Sequence, residues 1–139
     1  MSAAEDRGEH DARQDARAAA ILARRESGVL APDEALTELA DSDCEAAIAA
    51  LIAERVRLEP GVALRALQTE DDQTISVICR AAGFRINGYS AVLRMRRRRG
   101  RGAGSAPSEA LTFFSSLSHA SAERIVQQLA VLNPPCRRD

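Results

Sequence analysis

Few residues in this chain are equipped for chemistry, and they are scattered. Its histidines are His10 and His119. His119 stands in Ser118-His119-Ala120-Ser121, a serine–histidine juxtaposition that suggests nucleophilic catalysis. Neighbouring residues do not face one another on a helix, and the pattern places no carboxylate to orient the ring. Helix capping is the expected use of Ser118 or Ser121. The cysteines Cys44, Cys79 and Cys136 show no CxxC or cysteine–histidine spacing, which argues against zinc. They read as reduced thiols, with Cys44 and Cys79 as small buried apolar residues. Two acidic clusters, Asp41/Asp43/Glu45 and Glu70/Asp71/Asp72, concentrate oxygen ligands. Neither has the alternation around a glycine turn that a calcium loop needs, and both fall where helices begin, so capping is expected. Gly100, Gly102 and Gly104 resemble a phosphate loop, but no strand precedes them. No catalytic residue, metal ligand or cofactor is expected, and the chain does not read as an enzyme.

The densest feature is basic. Arg94, Arg96, Arg97, Arg98, Arg99 and Arg101 put six positive charges within eight residues. Residues 1–93 carry 10 Arg against 17 acids, and residues 102–139 balance at three of each. These six arginines are the candidate anion- or partner-binding residues, directed at phosphates or an acidic surface. The plainer reading is a solvated helix end that complements the helix dipole and the acidic body. Nucleic acid is the less favoured ligand, because the rest of the chain is acidic and no aromatic is interleaved for base stacking.

Helices must carry these residues. The chain has 139 residues, 45% of them apolar but only 3% aromatic. Its core must therefore come from Ala, Leu, Ile and Val, with Ala and Leu the best helix formers. No stretch alternates polar and apolar residues over a strand length. Every basic residue is Arg, a coding bias that suggests a bacterial origin. Residues 1–17 lack the apolar segment of a signal peptide, and the longest apolar run, 46–53, is far short of a membrane span. A cytoplasmic location is expected.

Helical periodicity runs from about His10 to Glu26 and stops at Gly28. Pro32 opens a second helix with Leu36 and Leu39 inward. Ser42 or Asp43 caps a third, carrying Ile48, Leu51 and Ile52. Pro60 opens a fourth with Leu64 and Leu67. Asp71 or Asp72 caps a fifth with Ile75, Ile78 and Cys79, ending at Gly83. Asn87 caps a sixth with Val92, Leu93 and Met95. Two further helices span Pro107 to Leu117 and Ser121 to Leu132, the latter stopped by Pro134 and Pro135. A 28-residue shift places Leu30, Pro32, Ala35, Leu36, Leu39 and Asp43 on Leu58, Pro60, Ala63, Leu64, Leu67 and Asp71. A second shift gives a degenerate copy at Ile86, Ala91, Val92 and Met95. Such units bury their apolar faces by stacking.

The segments AERVRLEP at 53–60, LRAL at 64–67 and ISVICRAAGF at 75–84, with the helix at Tyr89 to Leu93, resemble a bacterial family known as domain of unknown function 2336. The resemblance covers about residues 36–95 and implies an α-helical repeat. It implies no active site.

The expected fold is all-α, with about eight short antiparallel helices stacked as a HEAT-like or irregular helical-repeat bundle. The expected divisions are a disordered start at 1–9, a repeat-like domain at 10–99, a flexible linker at 100–107, a helical pair at 108–133 and a tail at 134–139. The expected function is non-enzymatic protein–protein interaction, as an adaptor or regulatory module, with an unidentified protein or by self-association. The alternative is an anion- or nucleic-acid-binding module that uses Arg94–Arg101. If the arginines act outward, changing Arg96, Arg97, Arg98 and Arg99 to Gln leaves the melting temperature nearly unchanged. The same change weakens partner binding, most at low salt; thermal melts and binding titrations at two salt concentrations read both.

Overall fold

The computed structural model describes residues 3–102 and 104–132, with backbone only for residues 3–7 and 10. Eight helices are present among them: α1 (Ala3–Glu26), α2 (Pro32–Asp41), α3 (Glu45–Val56), α4 (Pro60–Gln68), α5 (Gln73–Ala81), α6 (Ile86–Arg98), α7 (Pro107–Ser116) and α8 (His119–Leu132). No strand occurs among the described residues. None of the described helices is long and apolar enough to cross a membrane. Cys136, Pro134, Pro135 and the tail at 134–139 lie outside the described residues, as does the His10 side chain.

Helix starts follow local chemistry. Pro32, Pro60 and Pro107 each occupy a first helical position, where the missing N–H costs nothing. Glu34 reaches back to accept the Ala31 N–H at 3.2 Å. Three expectations about starts are corrected. α1 begins at Ala3, ahead of the start near His10 read from the periodicity, since alanine and charged helix formers extend the pattern upstream. α3 follows Cys44, with Asp43 left-handed at φ 56, and neither Ser42 nor Asp43 supplies a side-chain cap. α6 starts at Ile86, ahead of Asn87. Its capping group comes from another helix: Asp33 of α2 accepts the Arg85 N–H at 2.9 Å.

The core is one cluster of small and aliphatic side chains. Leu36, Leu39, Ile48, Leu51, Ile52, Leu67, Ile75, Ile78, Tyr89 and Met95 are fully buried within it. The matched repeat positions Ala35, Ala63 and Ala91 are all buried, as are Leu39, Leu67 and Met95. Leu64 departs from the expected core and is only half-buried. α4 turns Val62, Ala63, Ala66 and Leu67 inward, which leaves Leu64 at the edge of the stripe.

The helices form an irregular bundle rather than a regular stack. α2 packs most extensively on α6, α3 on α4, and α5 on α8. Gly88 makes the α2–α6 approach possible. A Cβ there would sit 3.1 Å from Leu36 Cδ2 and still closer to the Asp33 carboxylate. The C-terminal pair docks on the body through α5 and α6. Within the stretch expected as a flexible linker, Gly102 is buried and donates its N–H to Glu70 at 3.1 Å.

Leu67→Ala removes a fully buried side chain and should destabilise by roughly 2–5 kcal/mol. Leu64→Ala should cost less. Chemical denaturation of the two variants checks the order; equal losses would show α4 in the wrong register.

Candidate functional site

The basic run occupies the last turns of α6 and the turn after it. Helical spacing places Arg96 four residues from Val92 and seven from Tyr89, on the apolar stripe of α6. Arg96 is accordingly 0% exposed. Its Nη1 donates to Leu67 O at 2.6 Å and Ala66 O at 3.3 Å, the orphan carbonyls at the end of α4. Its Nη2 donates to Asp71 O at 3.1 Å and to Asp72 Oδ1 at 3.0 Å. Arg97 closes on the same carboxylate, with Nη2 2.7 Å from Asp72 Oδ2 and Nη1 3.1 Å from Oδ1. Arg97 also donates to Arg101 O and Ser105 O. The Nε groups of Arg96 and Arg97 are buried and meet no acceptor among the described residues.

The other guanidinium groups find carboxylates too. Arg98 donates to Asp43 Oδ1 at 3.1 Å and Ala40 O at 2.8 Å. Arg99 Nε lies 3.1 Å from Glu45 Oε1, and Arg101 bonds the same oxygen. Arg94 approaches Asp41 only to 4.0 Å and is 58% exposed. The two acidic clusters are thus the receptors of the basic run. Each acid of the first cluster meets at least one arginine. In the second, Asp72 binds two arginines, Glu70 holds Gly102, and Asp71 caps α5 by accepting the Gln73 N–H at 2.8 Å. The capping expected of these clusters is met by Asp71 alone.

Six candidate residues therefore divide by burial. Arg96 is enclosed; Arg97 and Arg101 are about four-fifths covered, at 19% and 20% exposed; Arg98 and Arg99 keep 45% and 40% exposure. The cluster is thus covered at Arg96, Arg97 and Arg101 and exposed at Arg94, Arg98 and Arg99. Gly102 fits this closure: its φ is +71°, and a Cβ there would collide with Arg97 and lie 2.8 Å from Asp72 Oδ1.

Electrostatics around Asp72 follow from this enclosure. Burial opposes its ionisation, but the hydrogen bonds and charges of Arg97 and Arg96 outweigh burial and hold its carboxyl below the usual carboxylate range. Burial pushes the Cys79 thiol up to about 12 and also raises Cys44. Neither is a nucleophile in these surroundings. Burial likewise pushes Tyr89 up to about 12, against the hydrogen bond it shares with Ser76.

His119 corrects one expectation. A carboxylate does face its ring: Nε2 lies 2.8 Å from Glu123, one turn on, and Nδ1 lies 3.1 Å from Arg80 O. Both ring nitrogens are engaged structurally, and Ser118 instead caps α8 by accepting the Ser121 N–H at 3.1 Å. No group of metal-ligating side chains is assembled among the described residues. Sequence reasoning missed Ser76, Arg80 and Tyr89. Tyr89 is stacked on Phe114 with centroids 4.5 Å apart, and Arg80 donates to Leu117 O at 2.9 Å. The position of Arg96 on an apolar stripe was the available signal for its burial.

Comparison of the chain with protein family models, with curated proteins and with solved structures finds no match.

Arg96→Gln leaves Asp72 paired with Arg97 but takes the donor from the Ala66, Leu67 and Asp71 carbonyls, and should cost roughly 1–3 kcal/mol, whereas Arg94→Gln should stay within about 0.5 kcal/mol. Asp72, with its folded pKa depressed, contributes its stabilisation fully above the ordinary carboxylate value of about 3.9 and loses it as pH falls through the folded value. Denaturation from pH 7 to pH 2 should therefore show a flatter acid limb for Asp72→Asn than for the wild type. Identical limbs would show that the pair carries no linkage.

Proposed function

We propose that this chain is a non-enzymatic protein–protein interaction module, an adaptor or regulatory element of the cytoplasm. The family likeness read over residues 36–95 belongs to the same proposal and rests on those sequence patterns. One observation carries it: a cavity of about 510 Å³ at the corner where α1, α2 and α6 meet. Leu30, Asp33, Glu34, Glu38 and Asn87 line it together with Arg24, which donates to Glu38 Oε1 at 3.1 Å. Val29 and Ile86, adjacent in sequence to two of those residues, are 67% and 40% exposed. Exposed aliphatic side chains beside a carboxylate-rich hollow suit a partner segment that brings both apolar and basic side chains.

The reading through phosphates is less favoured by the geometry. A phosphate bound at the basic run would compete with Asp43, Glu45 and Asp72, which already hold the guanidinium groups at hydrogen-bond distance. Those carboxylates would also repel it.

Val29→Asp with Ile86→Asp places two charges on exposed positions, so the fold should be retained. Affinity capture from the native host should lose a specific partner that the wild type retains, with an unchanged melting temperature as the control. Equal capture by both proteins would refute this surface as the binding face. Loss on Arg94→Gln with Arg98→Gln instead would favour the basic run.

A further inference from the structure

Another concavity lies where the ends of α3 and α5 meet α8. It encloses about 300 Å³, at the small end of ligand-binding clefts. Val56, Ala81 and the buried Val126 give it an apolar wall. Its polar groups are Arg55, Arg57, Gln127 and Glu123. It shares no lining residue with the cavity at the corner of α1, α2 and α6.

Arg55 is held in place by contacts that leave its charge unmatched. Its Nε donates to Ala82 O at 2.7 Å, an orphan carbonyl at the end of α5. The guanidinium lies 5.4 Å from the centroid of the buried Phe84 ring, and a Cβ on the left-handed Gly83 would sit 3.5 Å from its Nη2. Its Nη groups meet no acceptor among the described residues. Arg57 follows at the C-cap of α3 in the left-handed region, at φ 57 and ψ 42. Glycine is the residue suited to that conformation. An arginine there is an outlier that no side-chain contact among the described residues offsets, which points to a use outside the fold. The neighbouring acids are engaged elsewhere, Glu54 with Arg25 at 3.7 Å and Glu123 with His119 at 2.8 Å.

We propose that this concavity binds a carboxylate carried on a small aliphatic group, as at the C terminus of a polypeptide, with Arg55 and Arg57 taking the carboxylate and Val56, Ala81 and Val126 the aliphatic stem. A guanidinium matches a carboxylate through paired N–H donors, and one already fixed in place loses less freedom on binding. Gln127 supplies a donor and an acceptor for an adjoining amide. Glu123, on the same wall, selects against a more highly charged anion such as phosphate, because like charges repel at short range. The inference depends on neither the α1–α2–α6 corner nor the basic run of α6.

Titration of the full-length, isotope-labelled protein with N-acetylvaline at neutral pH, followed by nuclear magnetic resonance, tests it. The Arg55 Nε–H and the Gly83 and Phe84 amides should shift saturably. N-acetylvalinamide, which lacks the charge, should leave them unmoved, and inorganic phosphate should bind at least about tenfold more weakly. Isovalerate has the same carboxylate and stem without the amide and separates the sources: weaker binding than N-acetylvaline assigns a chain terminus, equal or tighter binding a free aliphatic acid. Arg57→Gly keeps the left-handed turn, so the melting temperature should hold or rise, while affinity for N-acetylvaline should fall about tenfold or more. The absence of a saturable shift, equal shifts with the amide, phosphate binding as tight as N-acetylvaline, or unchanged affinity in Arg57→Gly would each overturn the proposal.

Discussion

The bond between Arg96 and Asp72 is the constraint on which the rest of the arrangement depends. Removing a guanidinium from water is costly, and an interior site repays that cost only if its donors are met. Here four of them are, by the end of α4, by the loop before α5 and by the Asp72 carboxylate. One side chain of α6 thereby fixes two other helices. It occupies the C-terminal end of α4, where the helix dipole favours a cation. It also holds Asp72 against Arg97, and Arg97 in turn closes over Gly102 and Ser105. The path of the chain towards α7 is set by that sequence of contacts.

The same constraint explains the charge pattern. An acidic body followed by a basic run would repel within each part and attract between them. In the fold the two parts interleave: Asp41, Asp43 and Glu45, from the end of α2 to the start of α3, meet Arg94, Arg98, Arg99 and Arg101, from the last turns of α6 and the turn after it. The Arg94–Asp41 and Arg98–Asp43 pairs are exposed, and each contributes little by itself. Their joint effect is specificity of register, since sliding α6 along α2 would separate several pairs at once. Gly88 and Asp33 fix that register from the other end of α6, through close approach and a shared hydrogen bond.

A core of alanine and aliphatic residues suits such a design. Small side chains at Ala35, Ala63 and Ala91 bring helices close together, and close helices leave few routes for water to the buried ions. Two aromatic residues serve the C-terminal attachment, where Tyr89 and Phe114 stack, while Phe84 is buried in the body beneath the Arg55 guanidinium.

The amino-acid sequence by itself determined the all-helical class, the proline-marked starts of α2, α4 and α7, and the inward faces at Leu36, Leu39, Leu67, Ile75 and Ile78. Those features depend on residues within a few turns of one another, so local propensity and helical spacing suffice to read them. Tertiary structure decided the partners. Nothing local links Asp33 to Arg85, Glu45 to Arg101 or Asp72 to Arg96, pairs separated by 52, 56 and 24 residues. The basic run looked like an outward-facing surface because charge density was visible in the sequence while its receptors were dispersed. The acidic clusters looked like helix caps for the same reason. Only packing α2 on α6 and α4 beneath Arg96 brings the two sets of charges together, and burial makes Arg96 and Asp72 the ionic centre of the fold.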